Sequence, residues 1–185
     1  SGTITASGVT TITGTATAIM AAHDDSSELS SIDGDFAATV TGTATEDELS
    51  ALNAATSGAI DASGVTAITS GTAADVAALI SDGTVTLASD VAITITGTAT
   101  EDDLTALNAA TSGAITASGV TAITAGTAAD VVALIDDGTV TLASNVAVTV
   151  TGTAAATDLT AIAAATSGTI TASGVTTITG TAAEI

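Results

Sequence analysis

The 185 residues include no lysine and no arginine, no cysteine, no proline, no tryptophan and no tyrosine. Without lysine or arginine there is no basic face to displace counterions, which excludes nucleic acid and anionic membrane as partners. Twenty acidic side chains stand unopposed, giving a formal charge of −20 and a pI near 4.1, so the expected company is divalent and other cations. Without cysteine there is neither a disulfide framework nor a thiolate metal site. One histidine, His23, is also too few for nucleophilic catalysis, which needs a nucleophile, a base and an orienting group. No catalytic, cofactor-binding or metal-ligating residue is therefore assigned, and the chain is expected not to be an enzyme. No apolar run approaches the roughly 20 residues of a membrane span, so no membrane insertion is expected. No secretory leader is recognisable either, which puts the leader of an exported parent outside these residues. A single Phe36 and a single Met20 complete an economy of nitrogen-rich and aromatic side chains that suits a protein made in bulk and exported.

What is present argues for a folded chain. Acidic sequences poor in aromatics are often disordered, but here only 11% of residues are charged and 46% are hydrophobic, with a mean hydropathy of +0.64. The apolar positions are β-branched residues and leucine in regular alternation, enough for a core of Ala, Val, Ile, Thr and Leu.

Self-similarity decides the architecture. Residues 41–95 return almost unchanged as residues 96–150, a period of 55. A third, partial copy occupies 151–185 and a diverged one 1–40, so the whole of 1–185 reads as a single repeat array without a domain boundary. Each unit holds two related halves of 27 and 28 residues, since EDDLTALNAATSGAITASG and ADVVALIDDGTVTLASN share one plan. One coil of about 27 residues is a solenoid length. The phrase SGTITASGVTTITGTA occurs at 1–16 and again, letter for letter, at 167–182. Neither place looks like a polar cap, so a piece of a longer array is expected.

Each coil reads as strand, bend, strand continuation and short helix. In GTVTLASNVAVTVTG, Val140, Leu142, Val146, Val148 and Val150 share one parity and Thr139, Thr141, Thr149 and Thr151 the other, the pattern of a strand with one buried face. Ser118-Gly119 and Ser144-Asn145 mark bends or bulges. Thr45 with Glu48, Thr72 with Asp75 and Thr127 with Asp130 carry the spacing of helix caps, and Gly83 and Gly138 that of helix stops. Leu49 and Leu52, or Val76, Leu79 and Ile80, make the inward stripe. Helices of about 9 or 10 residues are marginal alone and must pack on the strands. Right-handed crossovers then place them on one side of a parallel sheet. The expected fold is an α/β solenoid, leucine-rich-repeat-like, with parallel strands stacked in coils of about 27 residues and one short helix per coil. The alternative is a three-sided β-solenoid with the helix reduced to one turn.

Few residues invite a chemical role. His23 lies beside Asp24 and Asp25 at a helix end and reads as a surface residue. The triplets Glu46-Asp47-Glu48 and Glu101-Asp102-Asp103 fall at helix N-termini, where they complement the dipole. Calcium is a possible ligand of these triplets, of Asp136-Asp137 or of Asp33-Gly34-Asp35, although none matches an EF-hand or a glycine-rich nonapeptide. The Thr-x-Thr strings at Thr3, Thr11, Thr84, Thr94, Thr139, Thr149, Thr169 and Thr177 would form threonine ladders in a stack, similar to the faces of ice-binding β-solenoids, although threonine is also simply a good exposed strand residue.

With the TASGVTTITGTA phrase at 171–182, the richness in threonine, alanine and glycine and the missing lysine, the chain resembles very large repetitive cell-surface proteins of bacteria, notably marine cyanobacteria. S-layer and RTX-type adhesin proteins share this composition, though the GGxGxD repeats of the RTX group are absent. The resemblance implies an extracellular structural repeat protein of a surface layer, fibre or adhesin stalk, with ice or glycan binding through the threonine face as the alternative. End-to-end self-association is expected from unpaired edge strands.

Overall fold

The computed structural model describes residues 4–24, 29, 30 and 32–184. In chain order the elements are β1 (Ile4–Thr5), β2 (Thr11–Gly14), α1 (Ala16–Asp24), β3 (Leu29–Ser30), β4 (Ala37–Ala44), α2 (Glu46–Ala55), β5 (Ile60–Ile68) and α3 (Ala73–Asp82). There follow β6 (Val85–Leu87), β7 (Ala92–Ala99), α4 (Glu101–Ala110), β8 (Ile115–Ile123), α5 (Ala128–Asp137), β9 (Val140–Leu142), β10 (Ala147–Ala155), α6 (Ala156–Ala165) and β11 (Ile170–Thr179). Nine of the strands, all but β1 and β3, form one open, parallel sheet whose main path runs β11-β10-β8-β7-β5-β4-β2. β6 lies on β5 and β9 on β8, while β1 and β3 pair separately. The fold is the expected α/β solenoid, with the sheet left open and a helix of 9 or 10 residues after each of β2, β4, β5, β7, β8 and β10.

Period-2 alternation produces the strands. Over residues 139–151, Val140, Val146, Val148 and Val150 are buried and Leu142 half-buried, whereas Thr141 and Thr151 are exposed and Thr139 and Thr149 intermediate. The buried rows meet Leu49, Leu52, Val76, Leu79, Leu104, Leu107, Val131 and Leu134 from the helices in one connected core running from Ala16 to Ile162. Parallel sheets are normally covered on both faces. Here one face carries the core and the other is left to threonine, a β-branched residue that tolerates both strand geometry and water.

The helix signals act as the sequence predicts. Thr45 accepts the Glu48 amide at 3.1 Å while the Glu48 carboxylate accepts the Thr45 amide at 2.9 Å, a complete capping box. Thr72, Thr100 and Thr127 each accept the amide three residues on. Gly83 and Gly138 end α3 and α5 at φ +77° and +73°, a left-handed conformation that glycine adopts without strain. In the third unit Ala155 stands at the cap position of α6, and no side chain caps that helix.

The stacking is sheared. β4 and β5 pair almost in full: Ala38 stands opposite Ile60 and Ala44 opposite Ile68, with two irregularities where Thr41 meets Gly64 and Thr43 meets Ala67. The same register recurs from Ile93 opposite Ile115 and from Val148 opposite Ile170. On its other edge, however, β5 pairs at Ile60 with Val85 of β6 but at Ile68 with Ile93 of β7, the counterpart of Ala38 one 55-residue period on. The pairing thus moves along the sheet with each 55-residue period, from Ile60 to Ile68 on β5, the stretch that faces Ala38 to Ala44 on β4. The turn at 88–91 separates the two stretches, β6 lying over the start of β5 and β7 over its end.

Candidate functional site

The most repeated polar construction is the Thr-Ser-Gly that follows each even-numbered helix. Thr56, Thr111 and Thr166 are buried at 7%, 5% and 9% exposure. Their hydroxyls donate to the carbonyls of Phe36, Val91 and Val146 at 2.5, 2.7 and 2.6 Å, and accept the amides of Gly58, Gly113 and Gly168 at 2.9 Å. The serine amides donate at 2.8 Å to Gly34, Ser89 and Ser144 in the adjoining turn. A Cβ on Gly58, Gly113 or Gly168 would sit 2.2–2.4 Å from a carbonyl oxygen of that turn. These three residues therefore clip the exit of each helix onto the turn that precedes its strand. Sequence reasoning passed over the clip; a signal was available in its unvaried recurrence after EDELSALNAA, EDDLTALNAA and ATDLTAIAAA.

The acidic triplets divide by position. Glu48 caps its own helix and also receives the Thr17 hydroxyl of α1 at 2.5 Å. The hydrogen bond from Thr17, then that from the Thr45 amide, holds its carboxyl below the usual glutamate value. Glu46 and Glu101, which begin their helices, are buried at 7% and 4% exposure. Their carboxylates accept hydroxyls from Ser50 and Thr105 one turn on. They are roofed by Gly71 and Gly126, where an added Cβ would approach the glutamate Cβ to 2.8 and 2.7 Å. The backbone reason is that the Glu46 and Glu101 amides donate to Ser70 and Ala125 at 2.9 Å, which draws the helix start under the neighbouring loop. Asp47 and Asp102 remain exposed. The triplets are not gathered: among the described residues no three His, Asp or Glu side chains form a group able to hold a metal.

The remaining candidates are dispersed. Asp82 takes the Thr84 hydroxyl and, at 3.3 Å, its amide, which holds its carboxyl below the ordinary aspartate pKa. Asp61 is lowered likewise by the Ser63 hydroxyl at 2.6 Å and amide at 3.0 Å. Asp137 accepts from Thr139 in the same way. Asp136 is exposed beside it, and Asp33 and Asp35 flank exposed Gly34 at the first turn. His23, in the last turn of α1, has Nδ1 3.0 Å from the Asp24 carboxylate and its ring tilted against Phe36 at 5.7 Å. Asp25 and Thr3 lie outside the described residues.

Threonine rows do form but are short. Thr94, Thr116 and Thr141 align, as do Thr149 and Thr171, and Thr13, Thr39, Asp61 and Thr86 make a mixed row. Thr11 and Thr177 face the solvent side of their strands, and Thr84, Thr139 and Thr169 sit at strand entrances, Thr84 donating to Asn53 at 2.6 Å. The shear starts a new row with each unit. Thr66, Thr121 and Thr176 instead donate to the carbonyls of Gly42, Gly97 and Gly152 at 3.1–3.3 Å, tying paired strands together across the exposed face.

The Thr-Ser-Gly clips, the hydroxyls of Thr17, Thr66, Thr84, Thr121 and Thr176 and the amides of Glu46 and Glu101 thus join one coil to the next, while the other polar contacts described are local to one helix, strand or turn. Compared with protein-family models, with curated proteins and with solved structures, the chain matches none.

Proposed function

We propose that this protein is an extracellular structural repeat array, part of a surface layer, fibre or adhesin stalk. The carrying observation is the identical register of three successive strand pairs, Ala38 to Ile60, Ile93 to Ile115 and Val148 to Ile170, each closed by the same Thr-Ser-Gly clip. A chain that repeats one junction without variation makes length and stiffness, because each unit is stabilised by its neighbours and adds the same increment. Its charge of −20 gives that length a uniformly negative surface. Sodium and divalent cations, calcium among them, then serve as its counterions. Among the described residues no helix is long and apolar enough to cross a membrane.

The test is immunogold labelling of intact, unpermeabilised producing cells with an antibody raised against the array. Label on the outer surface supports the assignment; label found only after permeabilisation overturns it. A second use of the exposed face, binding of ice or glycan, rests on the aligned Thr94, Thr116 and Thr141. Inhibition of ice recrystallisation by the wild-type chain, lost in a Thr116→Lys variant, would establish it; equal activity in both would remove it.

A further inference from the structure

Two cavities lie one 55-residue period apart and share one lining. The first, of about 240 Å³, is walled by Ile80, Val85, Leu87, Ala88, Val91 and Ala110. The second, of about 280 Å³, is walled by Ile135, Val140, Leu142, Ala143, Val146 and Ala165, the same residue types position for position. Each lies where the last turn of α3 or α5 meets the turn leading from β6 to β7 or from β9 to β10. Ile80, Leu87, Ile135 and Leu142 are half-buried rather than buried, so large aliphatic surface lines each opening. The backbone beside the cavities is already engaged. The Thr111 hydroxyl takes up the Val91 carbonyl and the Gly113 amide, and the Ser112 amide the Ser89 carbonyl; Thr166 and Ser167 do the same at the second cavity. The clip thus fixes one wall of each cavity, and no charged side chain stands among the lining residues.

The diverged unit shows what this backbone accepts there. Ile80 and Ile135 stand eight residues after the cap threonines Thr72 and Thr127, and His23 stands eight after Thr15, which caps α1. Phe36 takes the place of Val91 and Val146, since the Thr56 hydroxyl donates to its carbonyl as Thr111 and Thr166 donate to theirs. The Ile and Val that face each cavity are therefore His and Phe in the diverged unit, with their rings 5.7 Å apart and the phenyl fully buried.

From this we infer that the two cavities are binding sites for a small, uncharged, monocyclic aromatic molecule, whose ring takes the place that the Phe36 side chain holds in the diverged unit. Size sets the upper limit. An apolar cavity of about 150 Å³ accepts benzene, and drug-sized ligands need about 300–1,000 Å³; cavities of about 240 and 280 Å³ fall between, which suits one ring with one or two small substituents. Charge sets the class. A carboxylate finds no partner in an apolar wall and is repelled by a chain of net charge −20, and a cation finds no acid among the lining residues. A second copy of the chain does not supply the ring, because its single aromatic residue other than His23 is Phe36, itself fully buried. The sites recur with the period, so uptake scales with the number of units. This capacity goes beyond the structural assignment and is tested on the purified chain whether or not that assignment holds.

Toluene is the probe, titrated into the full chain and followed by NMR of the isoleucine methyl groups. The Ile80 and Ile135 methyls should shift together and saturate at two equivalents per chain, one for each cavity. The His23 ring protons, beside a site that already holds Phe36, should stay in place. Benzoate, the same ring carrying a charge, should bind at least about tenfold more weakly. Ile80→His/Val91→Phe transplants the pair of the diverged unit into the first cavity, so the count falls to one while the Ile135 shift persists and reports that the variant is folded. Ile135→His/Val146→Phe does the converse and leaves the Ile80 shift. Isoleucine methyls at both cavities that ignore toluene in the unaltered chain would overturn the inference without recourse to any variant. A count that stays at two in either folded variant would also overturn it, as would benzoate binding as tightly as toluene, since both place the ligand outside the cavities.

Discussion

Thr111→Val removes the hydroxyl of one clip while keeping its shape. That hydroxyl donates to the Val91 carbonyl at 2.7 Å, accepts the Gly113 amide at 2.9 Å, and is buried at 5% exposure. Water cannot replace it there, because Gly113 is wedged against the carbonyls of Asp90 and Val91. Two buried hydrogen bonds at about 1 kcal/mol each, plus the cost of leaving an amide and a carbonyl short of partners, give a loss of about 2–4 kcal/mol. For a chain of this size that lowers Tm by about 5–15 °C. The control is Thr111→Ser, which keeps both bonds and loses one methyl, a cost of about 1 kcal/mol. Urea unfolding followed by circular dichroism should therefore order the midpoints wild type, Thr111→Ser, Thr111→Val, with unchanged slopes. The reverse order, the valine variant matching wild type and the serine variant the weakest, would show that the clip holds by packing and that its hydrogen bonds contribute nothing.

Three further outcomes are expected. Ala155→Thr supplies the missing cap of α6, whose backbone at φ −76°, ψ 143° already resembles Thr100 at −86°, 158°; it should stabilise by about 1 kcal/mol, and a melting point that does not rise would show that α6 gains nothing from a cap. The Glu48 carboxyl, titrated by NMR, should fall below its ordinary value and return toward it in Thr17→Val, since the Thr17 hydroxyl is the main cause; as the folded pKa is depressed, this contact stabilises above the unfolded value and is lost as pH falls through the folded one, and an unchanged titration would assign the shift to Thr45 alone. With −20 charges and no lysine or arginine, self-repulsion opposes folding, so Tm should rise with sodium chloride as the screening length shortens to about 3 Å at 1 M, and rise further with calcium at matched ionic strength; a maximum at low salt would refute the electrostatic account.

Strand parity, the caps at Thr45, Thr72 and Thr127, the stops at Gly83 and Gly138, the helix per coil and the bends at Ser118-Gly119 and Ser144-Asn145 were legible because each depends on residues within one coil. Gly119 is the bulge where Thr96 presses to 2.8 Å of a would-be Cβ, and Ser144-Asn145 the turn between β9 and β10. The burial of Glu46 and Glu101 was not legible, since their helix-start position fits surface and interior alike; only the hydrogen bond of each amide to Ser70 or Ala125 carries them under the next loop. The clip threonines escaped for the same reason, as their acceptors lie 20 residues back in sequence.

The sequence by itself determined that the chain is a periodic array, where each coil turns, which face is apolar and that the surface is negative, because these follow from local steric preference, hydrophobic period and side-chain charge. Only the tertiary structure decided how units sit on one another. The period of 55 fixes the number of residues per unit but not the register in which strands meet; Ala38 reaches Val85 through Ile60 in 47 residues, and the eight that remain slide each unit along its predecessor. That slide is set by the pairing of backbone groups across strands and by which apolar row meets which helix, quantities that exist only once the coils are in contact. It also cuts the threonine ladders to short rows.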